Sequence, residues 1–143
     1  MPPLNHAVLS ASSAYRWLEC PPSALATADI PDETTIYAQE GSAAHEMAEY
    51  KIRWHLGEKD LAPPNIGNFN AEEIDRYTAS YAYYATDKIE TIRKICPDTI
   101  VMVEQRLDFS NYVKDGFGTG DLVIVADDVL QVIDFKYGKG VTV

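Results

Sequence analysis

The segment GTGDLVIVADDVLQVIDFKYGKG places Asp121 at the head of one apolar run, and Asp134 and Lys136 toward the end of the next. Asp134 and Lys136 are two residues apart. On an extended strand such residues project from one face, while Phe135 between them points the other way, into a core. Two charged groups side by side on an otherwise apolar strand suit a specific chemistry. Hydrolysing a phosphodiester requires neutralised charge on the scissile phosphate and a hydroxide-like nucleophile near neutral pH. Oxygen-ligated Mg²⁺ or Mn²⁺ supplies both, held by carboxylates, waters and backbone carbonyls. Asp121, Asp134 and the Phe135 carbonyl are the candidate ligands. Lys136 is the candidate for steadying developing negative charge or orienting the attacking water. The competing reading is a plain surface ion pair between Asp134 and Lys136.

A second group lies upstream in EGSAAHEMAEY, where His45 and Glu49 stand four residues apart on one helical face. An imidazole ligand shifts preference from Mg²⁺ toward Mn²⁺, and Glu49 is a candidate outer-sphere oxygen. HEMAE also resembles the zinc-protease pattern H-E-x-x-H, but Glu49 replaces the second histidine, which excludes that chemistry. Glu104, in VMVEQRLDF, is a third candidate acid beside the site. Cys20 and Cys96 are too few for a disulfide framework or a closed zinc site, and both read as buried reduced thiols.

The elements that must position these groups follow from local pattern. Ser12 and Ser13 precede AYRWLEC, and Pro21 and Pro22 follow it, reading as the cap and stop of a short helix. Residues 23–39 read as irregular, with a turn at Pro31 and Asp32. A helix is expected from about Ser42 to Leu56, closed by Gly57. A loop with Pro63, Pro64 and Gly67 follows. Asn70 and Glu73 then mark the start of a long helix that Pro97 ends. Its core stripe is expected along Ile74, Tyr77, Tyr81, Tyr84, Lys88 and Ile92. Thr99–Leu107, Asp121–Ala126 and Val129–Phe135 are rich in Val, Ile and Leu and read as strands, the last two joined by a tight turn at Asp127 and Asp128. The fold expected is α+β in a single domain: residues 1–97 mainly helical, residues 98–143 an antiparallel three-stranded meander that carries the motif.

The 143 residues are 46% hydrophobic and 24% charged, an ordinary globular composition. No apolar run reaches the length of a membrane helix and the N-terminus lacks signal-peptide features, so the expected location is the cytoplasm. The net charge of −10 weighs against a broad basic face for gripping duplex DNA.

LSASSAYRWLECPPS, EGSAAHEMAE and GTGDLVIVADDVLQVIDFKYGKG together resemble the RecB-like branch of the PD-(D/E)XK nucleases, most closely a phage and prophage family built on that core. The resemblance implies that His45, Asp121 and Asp134 are metal ligands and Lys136 the catalytic lysine. It also implies action on single-stranded DNA or duplex ends, within phage replication, recombination or repair. Relatives place a further helix and strand after the lysine. This chain ends at Val143, so it looks like a fragment whose sheet edge invites self-association or strand exchange. Several relatives hold a 4Fe–4S cluster through an early cysteine and three later ones. Cys20 matches the early position, but the later three are missing, so only a longer protein would hold the cluster. Two rivals stand beside the nuclease reading. One is a non-catalytic nuclease-fold module in a phage protein complex; the other is a DNA-mimic protein acting through its negative charge.

Overall fold

A computed structural model describes residues 7–30 and 35–138. The fold is α+β, with helices first and a three-stranded antiparallel sheet after them. A 3-10 turn, Ala11–Ser13, leads into α1 (Ala14–Glu19). Then come α2 (Pro22–Ala26), α3 (Ile36–His55), α4 (Ala71–Ile95), β1 (Ile100–Asp108), β2 (Phe117–Ala126) and β3 (Val129–Ile133). The sheet order is β1-β2-β3. The turn expected at Pro31 and Asp32, and the residues after Gly138, lie outside the described residues.

The chain forms two compact units. Among the described residues, one comprises 7–30 and 105–120, the other 35–104 and 121–138. In the first, the Ser10 hydroxyl accepts from the Ser13 N–H and the Ser10 carbonyl accepts from Trp17 Nε1 at 2.9 Å, fixing the start of α1. Ser13 stands at the N-cap position of α1 as expected, but its side chain makes no capping bond; the capping side chain is that of Ser10, ahead of the 3-10 turn. Pro22 opens α2 where only a stop was expected, because a proline at the first helical position gives up an N–H that has no partner there anyway. Cys20 is exposed and Cys96 half-buried, and both are free thiols, so neither is the fully buried thiol expected.

The second unit is built on α3 and α4. α3 begins at Ile36, six residues before the expected start, because Thr35 accepts from the Ala38 N–H and caps it. Gly41 and the exposed Ile36 and Tyr37 break the amphipathic pattern in those first turns and hide them from periodicity. Asn70 caps α4 as expected, its side chain accepting from the Glu73 N–H. Glu72 and Glu73 in the first turn, and Arg93 and Lys94 in the last, complement the helix dipole.

The buried face of α4 is Ile74, Thr78, Ala82, Ala85 and Ile89. The expected stripe is displaced: Tyr77 and Tyr84 are about half exposed. Aromatic rings dominate a reading by hydrophobicity, yet the face that packs carries small residues. α3 answers with Ala43, Ala44, Ala48 and Ile52, so alanines lie on both sides of the contact and the backbones approach closely. Lys51 ties the pair, its Nζ donating to Asp75 Oδ1 at 2.7 Å and to Thr78 Oγ1 at 2.9 Å.

Leu122 and Ile124 of β2 join Ile52, Ala82, Ala85 and Ile89 in one core cluster, and Phe135 joins Ala43, Ala44, Ala48 and Ile74 in another. Tyr81 packs against both. β2 and β3 pair from Leu122↔Ile133 to Ala126↔Val129, which leaves Asp127 and Asp128 as a two-residue turn. Asp127 sits at φ 51, a conformation that aspartate tolerates well.

Replacing Ala82 or Ala85 with leucine overfills the core cluster they form with Ile52, Ile89, Leu122 and Ile124 and is expected to cost about 1–3 kcal/mol. Tyr83→Leu, at an exposed position of the same helix, should stay within about 0.5 kcal/mol. Thermal or urea melts of the three variants against wild type check this.

Candidate metal centre

Three elements of the second unit bring ligand-type side chains together. One imidazole nitrogen of His45 (α3), a carboxylate oxygen of Glu104 (β1) and one of Asp121 (β2) all lie within 4.8 Å of one another. His45 Nδ1 is 3.5 Å from Asp121 Oδ1. The other carboxylate oxygen, Oδ2, accepts the Phe135 N–H at 2.6 Å. Asp121 is thus held from both sides.

β2 starts at Phe117, so Asp121 lies inside a strand where the sequence placed it at a strand start. Gly118 and Gly120, poor strand formers, conceal the earlier start. β3 stops at Ile133, two residues earlier than expected. The physical reason is the bond just described: the Asp121 carboxylate takes the Phe135 N–H that a strand partner would otherwise use. Asp134 and Lys136 therefore lie beyond the strand, and the same-face argument of an extended ladder does not extend to them.

Glu104 joins the group through an unusual backbone. Within β1 it sits at φ 50, in the left-handed region that costs a non-glycine residue about 1–3 kcal/mol. The carbonyl just before it, that of Val103, accepts from Arg53 Nη2 at 3.0 Å. Arg53 Nε in turn donates to Glu49 Oε1 at 2.7 Å and Nη1 to Glu58 at 3.2 Å. His45, Glu49 and Arg53 follow at four-residue steps on α3. Glu49 therefore acts through Arg53 as a brace for the kink that carries Glu104. Arg53 escaped the sequence reading, although its i+4 spacing from Glu49 was a usable signal.

The electrostatics describe a site with surplus negative charge. Burial pushes the Glu104 carboxyl above its ordinary range, and the neighbouring Asp121 and Glu49 push it further in the same direction. Burial also acts to raise Asp121, but its bonds to His45 and the Phe135 N–H outweigh this, leaving it below the ordinary range. His45 is raised above 6.5, chiefly by Asp121 and against the opposing effect of burial. Two crowded carboxylates, of which Glu104 resists ionisation, beside an imidazole are a donor set whose charge a divalent cation would offset. One nitrogen and two carboxylates fit Mn²⁺ better than Mg²⁺. Ligation at His45 would need the neutral imidazole, so a cation taken up there would displace a proton and bind more tightly as pH rises.

The other expected site residues are placed differently. Lys136 Nζ pairs with Asp134 Oδ2 at 2.7 Å, and the two side chains are 86% and 51% exposed. Phe135 reaches the site through its N–H, whereas its carbonyl was the group expected to serve. Its ring is buried, 5.2 Å from His45 and 4.7 Å from Tyr81 between centroids. Cys20 closes α1 in the other unit. Tyr81 was read only as a core residue, yet its hydroxyl is sealed from solvent without a hydrogen-bond partner among the described residues.

The chain belongs to the family described as Protein of unknown function (DUF2800), whose model matches residues 6–143. No solved structure matches it.

The His45–Asp121 pair dictates a pH dependence in the metal-free protein. The folded pKa of His45 is raised, so its stabilisation is complete below the unfolded value and is lost as pH rises through the folded one. That of Asp121 is lowered, so its stabilisation is present above the unfolded value and lost as pH falls. An NMR titration of His45 should give a midpoint above 6.5, returning toward 6.5 in Asp121→Asn. Melts should show the variant losing most, relative to wild type, between about pH 4 and 6.5.

Proposed function

We propose that this chain carries the metal centre of a divalent-cation-dependent deoxyribonuclease of the RecB-like PD-(D/E)XK type. The observation that carries the proposal is the convergence of His45, Glu104 and Asp121 from a helix and two strands into one group of ligand atoms within 4.8 Å. A cation held there supplies a Lewis acid for the scissile phosphate and lowers the pKa of bound water. The protein does the rest. The Phe135 N–H and His45 fix the rotamer of Asp121, and Arg53 holds the Val103 carbonyl so that Glu104 faces its partners. Lys136, solvent-exposed and paired with Asp134, would turn from that pair to the phosphate of an incoming strand. Asp134, freed from that pair, is one peptide from the Phe135 N–H and so borders the centre.

DNA, as single strands or duplex ends, is the proposed substrate, and phage replication, recombination or repair the proposed setting. Among the described residues β3 has one neighbour in the sheet, β2, and Val129, Leu130 and Val132 are each half exposed or more. Such an edge supports association of copies through β3. A second reading, a nuclease-fold binding module without catalysis, draws on the Asp134–Lys136 pair being closed on itself and on the net charge of −10.

Calorimetry with Mn²⁺ should give one site per wild-type chain, weakened more than about tenfold by Asp121→Ala or by Glu104→Gln. Lys136→Met should retain Mn²⁺ binding while abolishing cleavage of a labelled single-stranded oligonucleotide. Binding by wild type without any cleavage favours the module; binding unaffected by either ligand variant removes the centre described here. In light scattering, Val132→Lys on the β3 edge should shift an associated wild type toward monomer, and a wild type that is already monomeric rules the association out.

A further inference from the structure

The Tyr81 hydroxyl has no assigned task. It lies in the second turn of α4 after Ile74, with its ring packed into both core clusters of the second unit and set 4.7 Å from Phe135, at 30° to it. Phe135 is the residue whose N–H holds Asp121, and its ring also meets that of His45. Tyr81 therefore packs on the residue whose backbone N–H holds Asp121 and whose ring meets His45. Its hydroxyl oxygen is closed off from solvent and finds no hydrogen-bond partner among the described residues. Core tyrosines ordinarily find a partner, and leaving a buried hydroxyl unpaired is destabilising. Phenylalanine would fill the same space without that penalty. A tyrosine at such a position points to a partner that arrives with a ligand.

The chemistry of that partner is constrained. Burial pushes the phenol far above its ordinary range, and Asp121, Glu104 and Asp134 add to the effect, so the hydroxyl stays protonated and acts as a donor near those carboxylates. Asp121 is committed to His45 and Phe135 and Asp134 to Lys136, and neither these two carboxylates nor that of Glu104 forms a hydrogen bond with the Tyr81 hydroxyl. The acceptor is then an oxygen that enters with the cation, and a cation held by three side chains keeps waters in its remaining positions.

We infer that Tyr81 is a positioning residue of the metal centre, its hydroxyl donating a hydrogen bond to a water bound to the cation. This rests on the reading of His45, Glu104 and Asp121 as that centre. Tyr81 acts by orienting the water and by helping to hold the hydrated ion. Its role is absent from the metal-free protein.

The test compares Tyr81→Phe with wild type, using the metal alone, in three measurements. Without metal, the melting temperature of the variant should equal or exceed that of wild type, because the substitution removes an unpaired buried hydroxyl. The Mn²⁺ dissociation constant from calorimetry should rise about five- to tenfold, the size of one lost hydrogen bond. Water-proton relaxation of the Mn²⁺-loaded variant should differ from that of the wild type, since the exchange of a bound water changes. A metal-free variant that melts well below wild type shows that the hydroxyl has a structural partner, and overturns the inference. Equal Mn²⁺ affinity and equal relaxation overturn it while leaving the centre intact. Wild type that binds no Mn²⁺, or binds it as well in Asp121→Asn, removes the centre and the inference together.

Discussion

The hydrogen bond from the Phe135 N–H to Asp121 is the constraint on which the site depends. It joins a residue inside β2 to the chain just past β3, and so decides where the hairpin ladder stops. By stopping it there, the bond frees Asp134 and Lys136 from the sheet and drives the Phe135 ring into the alanine-lined end of α3. It also leaves only one oxygen of Asp121 to face His45. A single carboxylate thus has a structural side and a chemical side. The structural side is satisfied by a backbone donor and the chemical side is shared with groups that titrate. That division explains why Asp121 stays ionised in a crowded acidic neighbourhood while Glu104, which has no such donor, resists ionisation.

The helix pair beneath provides the rigidity that such a site needs. α3 and α4 meet through alanines and a threonine, with isoleucines at the ends of the contact. Small side chains permit close approach and leave few rotamers to vary, so His45 is carried on a backbone whose position is set by packing and not by long, flexible contacts. Lys51, reaching from α3 to the carbonyl and carboxylate of Asp75, pins the pair against sliding. The ring of Tyr81, shared between the two core clusters, links this packing to the sheet.

What was legible in the sequence depended on how local the physics was. The cap at Asn70, the helix stop at Gly57 and the two-aspartate turn follow from chemistry within a few residues, and each stands where the pattern puts it. The start of α3 did not, because Gly41 masks a helix whose first turns face solvent. The α4 stripe was misplaced, since a scale that rewards rings points to Tyr77 and Tyr84 while packing density is achieved by Thr78, Ala82 and Ala85. At the site, motif spacing pointed to His45 and Asp121, which the structure sets 3.5 Å apart. The place of Glu104 depends on its own left-handed conformation in a strand, which no periodicity encodes, and on Arg53 of α3, whose spacing from Glu49 was the one usable signal. Asp134 and Lys136 read as strand neighbours because nothing in the sequence reveals that a side chain will capture the next N–H.

The left-handed backbone at Glu104 sets two demands against each other at one position. Conformation there favours glycine, asparagine or aspartate, while the neighbouring groups call for a carboxylate. Aspartate would meet both, and yet the chain has glutamate. What aspartate lacks is one methylene, about 1.5 Å of reach on standard bond lengths. Glutamate supplies that extra reach, and its carboxylate comes within 4.8 Å of the ligand atoms of His45 and Asp121 from a backbone conformation that suits a shorter residue better.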